Sequence, residues 1–219
     1  MTQLLQNTSH AVMAQRNPLL SKIDDFPTPP WATRALIEQV LKKAVGLTDL
    51  HQMSVWEPAC NRGYMAKPLS EYFKTVYATD VVNYGWQGQQ QEWDYISTMM
   101  PNCIGTNDVD MVITNPPFSK AEKFIKRSMF VPGTRVVAML CRTGILESNR
   151  RYKKIFSIHP PSYVAQFVER VPMLQGKVDP KASTATAYCW LVWVVGVKDT
   201  RLIWIPPCRS ILEKGGDYS

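Results

Sequence analysis

Asp110-Met111-Val112-Ile113-Thr114-Asn115-Pro116-Pro117-Phe118 is a short apolar run that stops on an asparagine and two prolines. A run without polar alternation is the pattern of a strand buried on both faces, as in a parallel sheet. The prolines end it, because each fixes φ and removes a backbone donor. An asparagine at the carboxyl end of such a strand stands in the crevice where open α/β sheets bind ligands. With no amide donors at Pro116 and Pro117, the local carbonyls face outward as acceptors. The Asn115 side-chain carbonyl and the Pro116 backbone carbonyl can together accept both protons of an –NH2 group. Phe118 offers a flat face to the ring that carries it.

The pattern alternates on either side of this stretch. Upstream, residues 31–45 read as a helix begun behind Pro27-Thr28-Pro29-Pro30, with Ala35, Leu36, Val40, Leu41 and Ala44 on one stripe. Residues 54–59 and 75–79 read as short strands, the second ending at Asp80, with a helix expected over 63–73. Downstream come a helix over 119–130, a strand over 135–141 and a basic helix over 149–158. This alternation predicts an α/β chain with a parallel sheet covered on both faces. The end differs: 163–171 and 187–197 are strand-like with no helix between them, which predicts an antiparallel pair, and Arg201–Ile205 adds a short edge strand. Trp190, Trp193 and Trp204 lie in these strands and read as core. The stretch 172–186 reads as a long mobile loop of the kind that often carries function. Residues 1–22 read as a flexible tail and 23–219 as a single domain.

The chain has 219 residues, 45% hydrophobic and 20% charged, ordinary for a globular protein. No run approaches the roughly 18 apolar residues of a membrane span. The start lacks a basic region followed by an apolar block, so a cytoplasmic protein is expected. The five cysteines are scattered, which supports neither a disulfide framework nor a metal site. A net charge of +7 suits a polyanionic partner but does not by itself select one.

Two further stretches bear on chemistry. In Val55-Trp56-Glu57-Pro58-Ala59-Cys60-Asn61-Arg62-Gly63-Tyr64-Met65 an acid ends a strand and a tight turn opens a helix near Gly63, where backbone amides favour a carboxylate. Asp80 stands at the tip of the next strand, placed to hold ribose hydroxyls.

Taken together and in order, the 26–30 segment, Glu57–Met65, Asp80, Asp94 and Asn115–Phe118 resemble the S-adenosylmethionine-dependent adenine-N6 DNA methyltransferases, especially their small phage and prophage members. The resemblance covers residues 24–197. It implies a Rossmann-like class I methyltransferase fold, a seven-stranded, mostly parallel sheet with a carboxy-terminal antiparallel hairpin and no separate target-recognition domain. It implies S-adenosyl-L-methionine as cofactor, held by Thr28, Pro29, Glu57, Ala59, Asn61 and Gly63, with Asp80 on the ribose hydroxyls and Asp94 on the adenine amino group. Asn115, Pro116, Pro117 and Phe118 would hold a target base flipped out of double-stranded DNA. Direct methyl transfer needs no metal. Enzymes acting on rRNA or tRNA bases or on protein glutamine share this tetrapeptide, and an inactive, DNA-binding relative of the fold is the reading from a different class.

One residue departs from the pattern. Asn61 stands where the family has a glycine; asparagine is the next best residue for a left-handed turn, so the loop is expected to survive. Arg142 at a strand end, Arg150 and Arg151 on the basic helix, and Lys177 and Lys181 in the long loop are the candidate nucleic-acid contacts. For the basic helix, a plainly solvated face is the competing reading.

Overall fold

The computed structural model describes residues 24–97 and 99–218. The tail expected over 1–22 lies outside them. Eight strands form one sheet: β1 (Ser54–Glu57), β2 (Thr75–Asp80), β3 (Gln91–Glu92), β4 (Met111–Thr114), β5 (Val136–Arg142), β6 (Tyr163–Phe167), β7 (Tyr188–Val194) and β8 (Arg201–Ile205), in the order β3-β2-β1-β4-β5-β7-β6-β8. β3 through β5 are parallel, and β7 enters antiparallel between β5 and β6. β8 lies parallel to β6 at the edge.

Side-chain alternation along these strands builds two cores. On one face Val55, Met111, Ile113, Ala138, Leu140 and Trp190 pack with Trp31, Leu36 and Val40 of the first helix. On the other, Trp56, Val112, Val137, Met139, Leu191 and Trp193 pack with Phe124, Ile125 and Ile155. Each large side chain withdrawn from water contributes roughly 1.5–3 kcal/mol. Both faces of β5 and β7 are therefore buried, which is why their sequences read as continuous apolar runs.

The first helix, α1 (Pro30–Ala35), starts behind Pro29 and continues in wider π-type turns over Leu36–Val45. It stops at Gly46, whose φ of 83° is left-handed, and the Leu41 carbonyl accepts from the N–H groups of Gly46 and Leu47. Trp31 is fully buried and meets Phe167 edge-on at 5.7 Å, a core anchor rather than a cofactor contact. α2 is confined to Ala66–Leu69, shorter than the helix expected over 63–73. Gly63 at φ 80° cannot be a right-handed helical residue, so regular turns begin only after it. α3 (Ala121–Ser128), α4 (Asn149–Arg151, continued in π-type turns over Tyr152–Phe156) and α5 (Arg209–Leu212) complete the helices named here.

The structure corrects two other expectations. The sheet has eight strands rather than seven: the two-residue β3 joins the seven segments legible as strands, and it is too short for any periodicity. Trp204 is not core; it is 64% exposed on the edge strand β8. The loop read over 172–186 carries a β-bridge between Leu174 and Lys177, and its Gly176 donates its N–H to the Asp25 carbonyl at 2.8 Å.

Candidate active site

The sheet order brings four functional side chains to one rim. β2, β1, β4 and β5 are neighbours, so their carboxyl ends present Asp80, Glu57, Asn115 and Arg142 in that sequence. The chain leaves β1 toward β2 and returns to β4 on its other side, and that reversal opens a crevice. A cleft of about 1000 Å³, open mouth included, lies there.

Four acids line this cleft: Asp24, Glu57, Asp80 and Asp94. Glu57 is 1% exposed; its Oε1 accepts from Thr114 Oγ1 at 2.5 Å and from the Ala59 N–H at 3.0 Å, while Oε2 has no partner. Burial pushes its carboxyl up to about 8, against the pull of those two hydrogen bonds. Asp80 is raised by burial too, and it accepts N–H bonds from Asn61 at 2.9 Å and Val82 at 3.1 Å. Asp94 is exposed at the far wall. A cleft lined by acids, in a chain of net charge +7, favours a cationic ligand.

The turn after β1 is drawn tight by Asn61, whose φ is 50°. Its Nδ2 donates to Asp25 Oδ1 at 2.7 Å and its Oδ1 accepts from the Arg62 N–H at 2.7 Å. Arg62 in turn pairs with Asp25 at 3.0 Å and lies over the Tyr84 ring. Gly63 is packed beneath Trp86: a Cβ there would come within 2.4 Å of the indole.

Asn115 stands in the cleft wall. Its Nδ2 donates to the Phe26 carbonyl at 2.9 Å, which fixes which end of the amide is which, and to Met173 Sδ at 3.6 Å. Its Oδ1 is buried with no partner. Pro116 is buried behind it and Pro117 lines the cleft. Phe118 lies beside the cleft in an aromatic group, with the cleft-lining Phe26 at 5.0 Å and Tyr188 at 6.4 Å, and the Arg142 guanidinium carbon is 3.9 Å from its ring centroid.

Of the residues singled out in the sequence, Thr28, Glu57, Ala59, Asn61, Asp80, Asp94, Asn115 and Pro117 line this one cleft. Pro29 instead caps α1, and Gly63 lies under Trp86. Arg150 and Arg151 are drawn to Glu122, at 2.5 and 3.5 Å, and Arg151 also donates to the Gly144 and Ile145 carbonyls. Lys177 pairs with Asp179 at 3.5 Å, and Lys181 is exposed. Sequence reasoning missed what the segment 24–28 does beyond its prolines. Asp24 holds Ser119, Asp25 holds Asn61, Arg62 and Gly176, and Phe26 holds Asn115. The shortest of these bonds, Asn61–Asp25, spans 36 residues, and the one from Gly176 to Asp25 is longer than the 95 of Ser119–Asp24, so no local pattern announces them. Tyr64, Tyr84 and Trp93 also line the cleft without a sequence signal.

Among the described residues no helix is long and apolar enough to cross a membrane, and no group of three or more His, Cys, Asp or Glu is placed to hold a metal ion. No family profile matches the chain, and no curated protein matches its sequence. Solved structures do match in shape. A protein from Listeria monocytogenes assigned as a class I S-adenosylmethionine-dependent methyltransferase superposes with TM-score 0.57 at 13% identity, over 83% of this chain and 66% of that one. The modification subunit assigned to a type I restriction enzyme of Vibrio vulnificus YJ016 gives 0.54 at 15%, over 82% and 47%. A protein from Pyrococcus horikoshii assigned as an RNA methyltransferase gives 0.51 at 17%, over 81% and 95%. The chain thus spans about two thirds and about half of the first two. Strand order, reversed β7 and these neighbours together give the chain the Rossmann-like class I methyltransferase fold.

Proposed function

We propose that the chain transfers a methyl group from S-adenosyl-L-methionine to an exocyclic amino nitrogen, and that the substrate is N6 of an adenine flipped out of double-stranded DNA. The observation that carries this reading is the buried, unpartnered Oδ1 of Asn115. An acceptor left without a donor in a protein interior costs about 1–3 kcal/mol, and an amino group supplies the donor. Because Nδ2 is committed to Phe26, the amide cannot turn to present a donor in its place.

The residues present fit the cofactor. The carboxylates of Asp24, Asp80 and Asp94 suit its cationic groups, the unpartnered Glu57 Oε2 leaves a hydrogen-bonding position open, and Thr28, Ala59 and Asn61 form the adjoining wall. Asp80 holds the ribose hydroxyls and Asp94 the adenine amino group. When bound, S-adenosylmethionine supplies a methyl group on a positively charged sulfur, open to attack by an amine lone pair. The chain's own part is positioning. Asn115 Oδ1 and the Pro116 carbonyl accept the two amine protons, hold the nitrogen in place and concentrate its electron density. Phe118 stacks the base. Adenine in DNA, rather than another amine, is favoured by the order of the motifs along the chain. The exposed Lys120, Lys123, Lys126, Lys153 and Lys154 around α3 and α4 suit a phosphate backbone.

The test is methylation of plasmid DNA in vitro with mapping of the modified base, repeated with Asn115→Ala. The variant is expected to lose transfer while S-adenosylhomocysteine binds it as before in calorimetry. Near-normal turnover on saturating DNA sinks the pocket assignment. DNA binding without any cofactor binding favours the inactive relative, and label found in RNA or protein instead of DNA reassigns the substrate.

A further inference from the structure

We infer that Arg142 is a place-holder for the target base: its guanidinium occupies the face of Phe118 that the flipped base takes, and base entry must displace it. The inference deepens the function proposed above and rests on it. Phe26 and Tyr188 approach the Phe118 ring at tilts of 44° and 38°. The Arg142 Cζ instead lies over the ring, 3.9 Å from its centroid and well inside cation–π range. It also lies 5.9 Å from the Phe26 centroid. Other arginines on this side of the sheet are engaged by carboxylates: Arg62 by Asp25, Arg150 and Arg151 by Glu122. Arg142 is exposed and has an aromatic surround, with Tyr188 hydrogen-bonded to it.

A base and a guanidinium cannot share one ring face at van der Waals distance. A planar cation on an aromatic ring is held by the ring's quadrupole and by stacking, so it keeps the slot filled until a better planar partner arrives. Once displaced, Arg142 is a free cation at the rim of the cleft, next to where the opened strand carries its phosphates. One residue thus exchanges an aromatic contact for a phosphate contact as the base enters. This makes Arg142 a positioning residue for base entry, acting through Phe118.

The experiment uses the full chain saturated with S-adenosylhomocysteine, which blocks the cofactor's own adenine site. Binding of 9-methyladenine, a base without phosphate, is measured by saturation-transfer NMR for the wild type, Arg142→Ala and Arg142→Lys. Duplex DNA affinity is measured in parallel against salt. Removing an exposed stack of this kind corresponds to about two- to fivefold in affinity, so Arg142→Ala should bind 9-methyladenine that much more tightly. Its salt slope for DNA should fall by about one. Arg142→Lys keeps the charge but loses the flat stack, so it should gain base affinity while holding the wild-type slope. Unchanged or weaker 9-methyladenine binding by both variants, with S-adenosylhomocysteine bound, overturns the place-holder alone. Failure of S-adenosylhomocysteine to bind the wild type overturns the cofactor site, and the place-holder with it.

Discussion

The backbone N–H of Asn61 points 2.9 Å onto Asp80 Oδ2, and it does so from a left-handed conformation at φ 50°. The turn after β1 and the acid at the tip of β2 are thereby one unit. Asparagine, where a glycine was the expected turn residue, keeps the turn, and its side chain adds bonds to Asp25 and Arg62 that glycine could not make. Asn61→Gly should hold the turn and lose the tie to Asp25, leaving the melting temperature within a few degrees of wild type. Asn61→Val should cost about 1–2 kcal/mol or more, since a β-branched residue resists positive φ. Chemical denaturation of the two variants checks the order; an equally stable valine variant contradicts it.

Under the proposed function Asp80 holds the ribose hydroxyls, and its carboxylate also accepts the Asn61 and Val82 N–H groups, so alanine removes the ligand contact and loosens the turn beside it. Asp80→Ala should therefore raise the dissociation constant for S-adenosylhomocysteine by about ten- to a hundredfold, the loss of one or two hydrogen bonds to a charged group. Turnover at saturating cofactor should fall much less. Calorimetry together with the KM for the cofactor reads both; an unaltered affinity removes Asp80 from the site.

Glu57 should make the fold sensitive to pH. Its folded pKa of about 8 lies above the unfolded value, so over the interval between them the folded chain keeps a proton that the unfolded chain has released. The contribution is full below about pH 4 and is lost as pH rises toward 8, by about 5 kcal/mol in total. Glu57→Gln removes this dependence while preserving an acceptor for Thr114 and Ala59. Urea midpoints between pH 5.5 and 8.5 should decline for the wild type and stay flatter for the variant. Parallel curves would mean that Glu57 is ionised throughout.

Arg34 is 3% exposed and bonds Glu71 at 2.7 and 2.9 Å, Asp217 at 2.7 and 2.8 Å, and the Leu212 carbonyl. Arg34→Ala leaves the Asp217 side chain, itself 6% exposed, without its cation. Breaking such a buried cluster from one side costs about 3–5 kcal/mol. Hydrogen exchange should show α5 losing protection first, ahead of the sheet. Equal loss across β4 and β5 would point to a general weakening instead.

Gly63→Ala meets two obstacles, a φ of 80° and the Trp86 ring. It should move the indole outward and shift tryptophan emission to longer wavelength, with a loss of about 1–2 kcal/mol or more. An unchanged emission maximum means that the turn relaxes instead of the ring.

What the sequence made legible follows from what kind of force fixed each part. The strands β1, β4, β5 and β7 are buried strongly enough that their apolar composition alone declares them. Asn115 and Asp80 were legible because a strand end marks a rim in any parallel sheet. β3, with two residues, carries no period, and α5 with four carries hardly more. The closing segment 24–28 is held by single hydrogen bonds across long separations, which composition cannot express. The basic helix looked like a phosphate track, yet one acid, Glu122, engages both of its arginines from another helix. Trp204 misled because size suggests a core, whereas β8 has only one neighbouring strand.

The ion cluster at Arg34 also orders events during synthesis. Asp217 follows Arg34 by 183 residues, which at about 5–20 residues per second is a delay of roughly 10–40 s. Throughout that interval the first helix holds a guanidinium that still lacks one of its two acids. The buried Arg34–Asp217 pair therefore joins the helix later than its apolar packing on the sheet, which needs only residues made earlier.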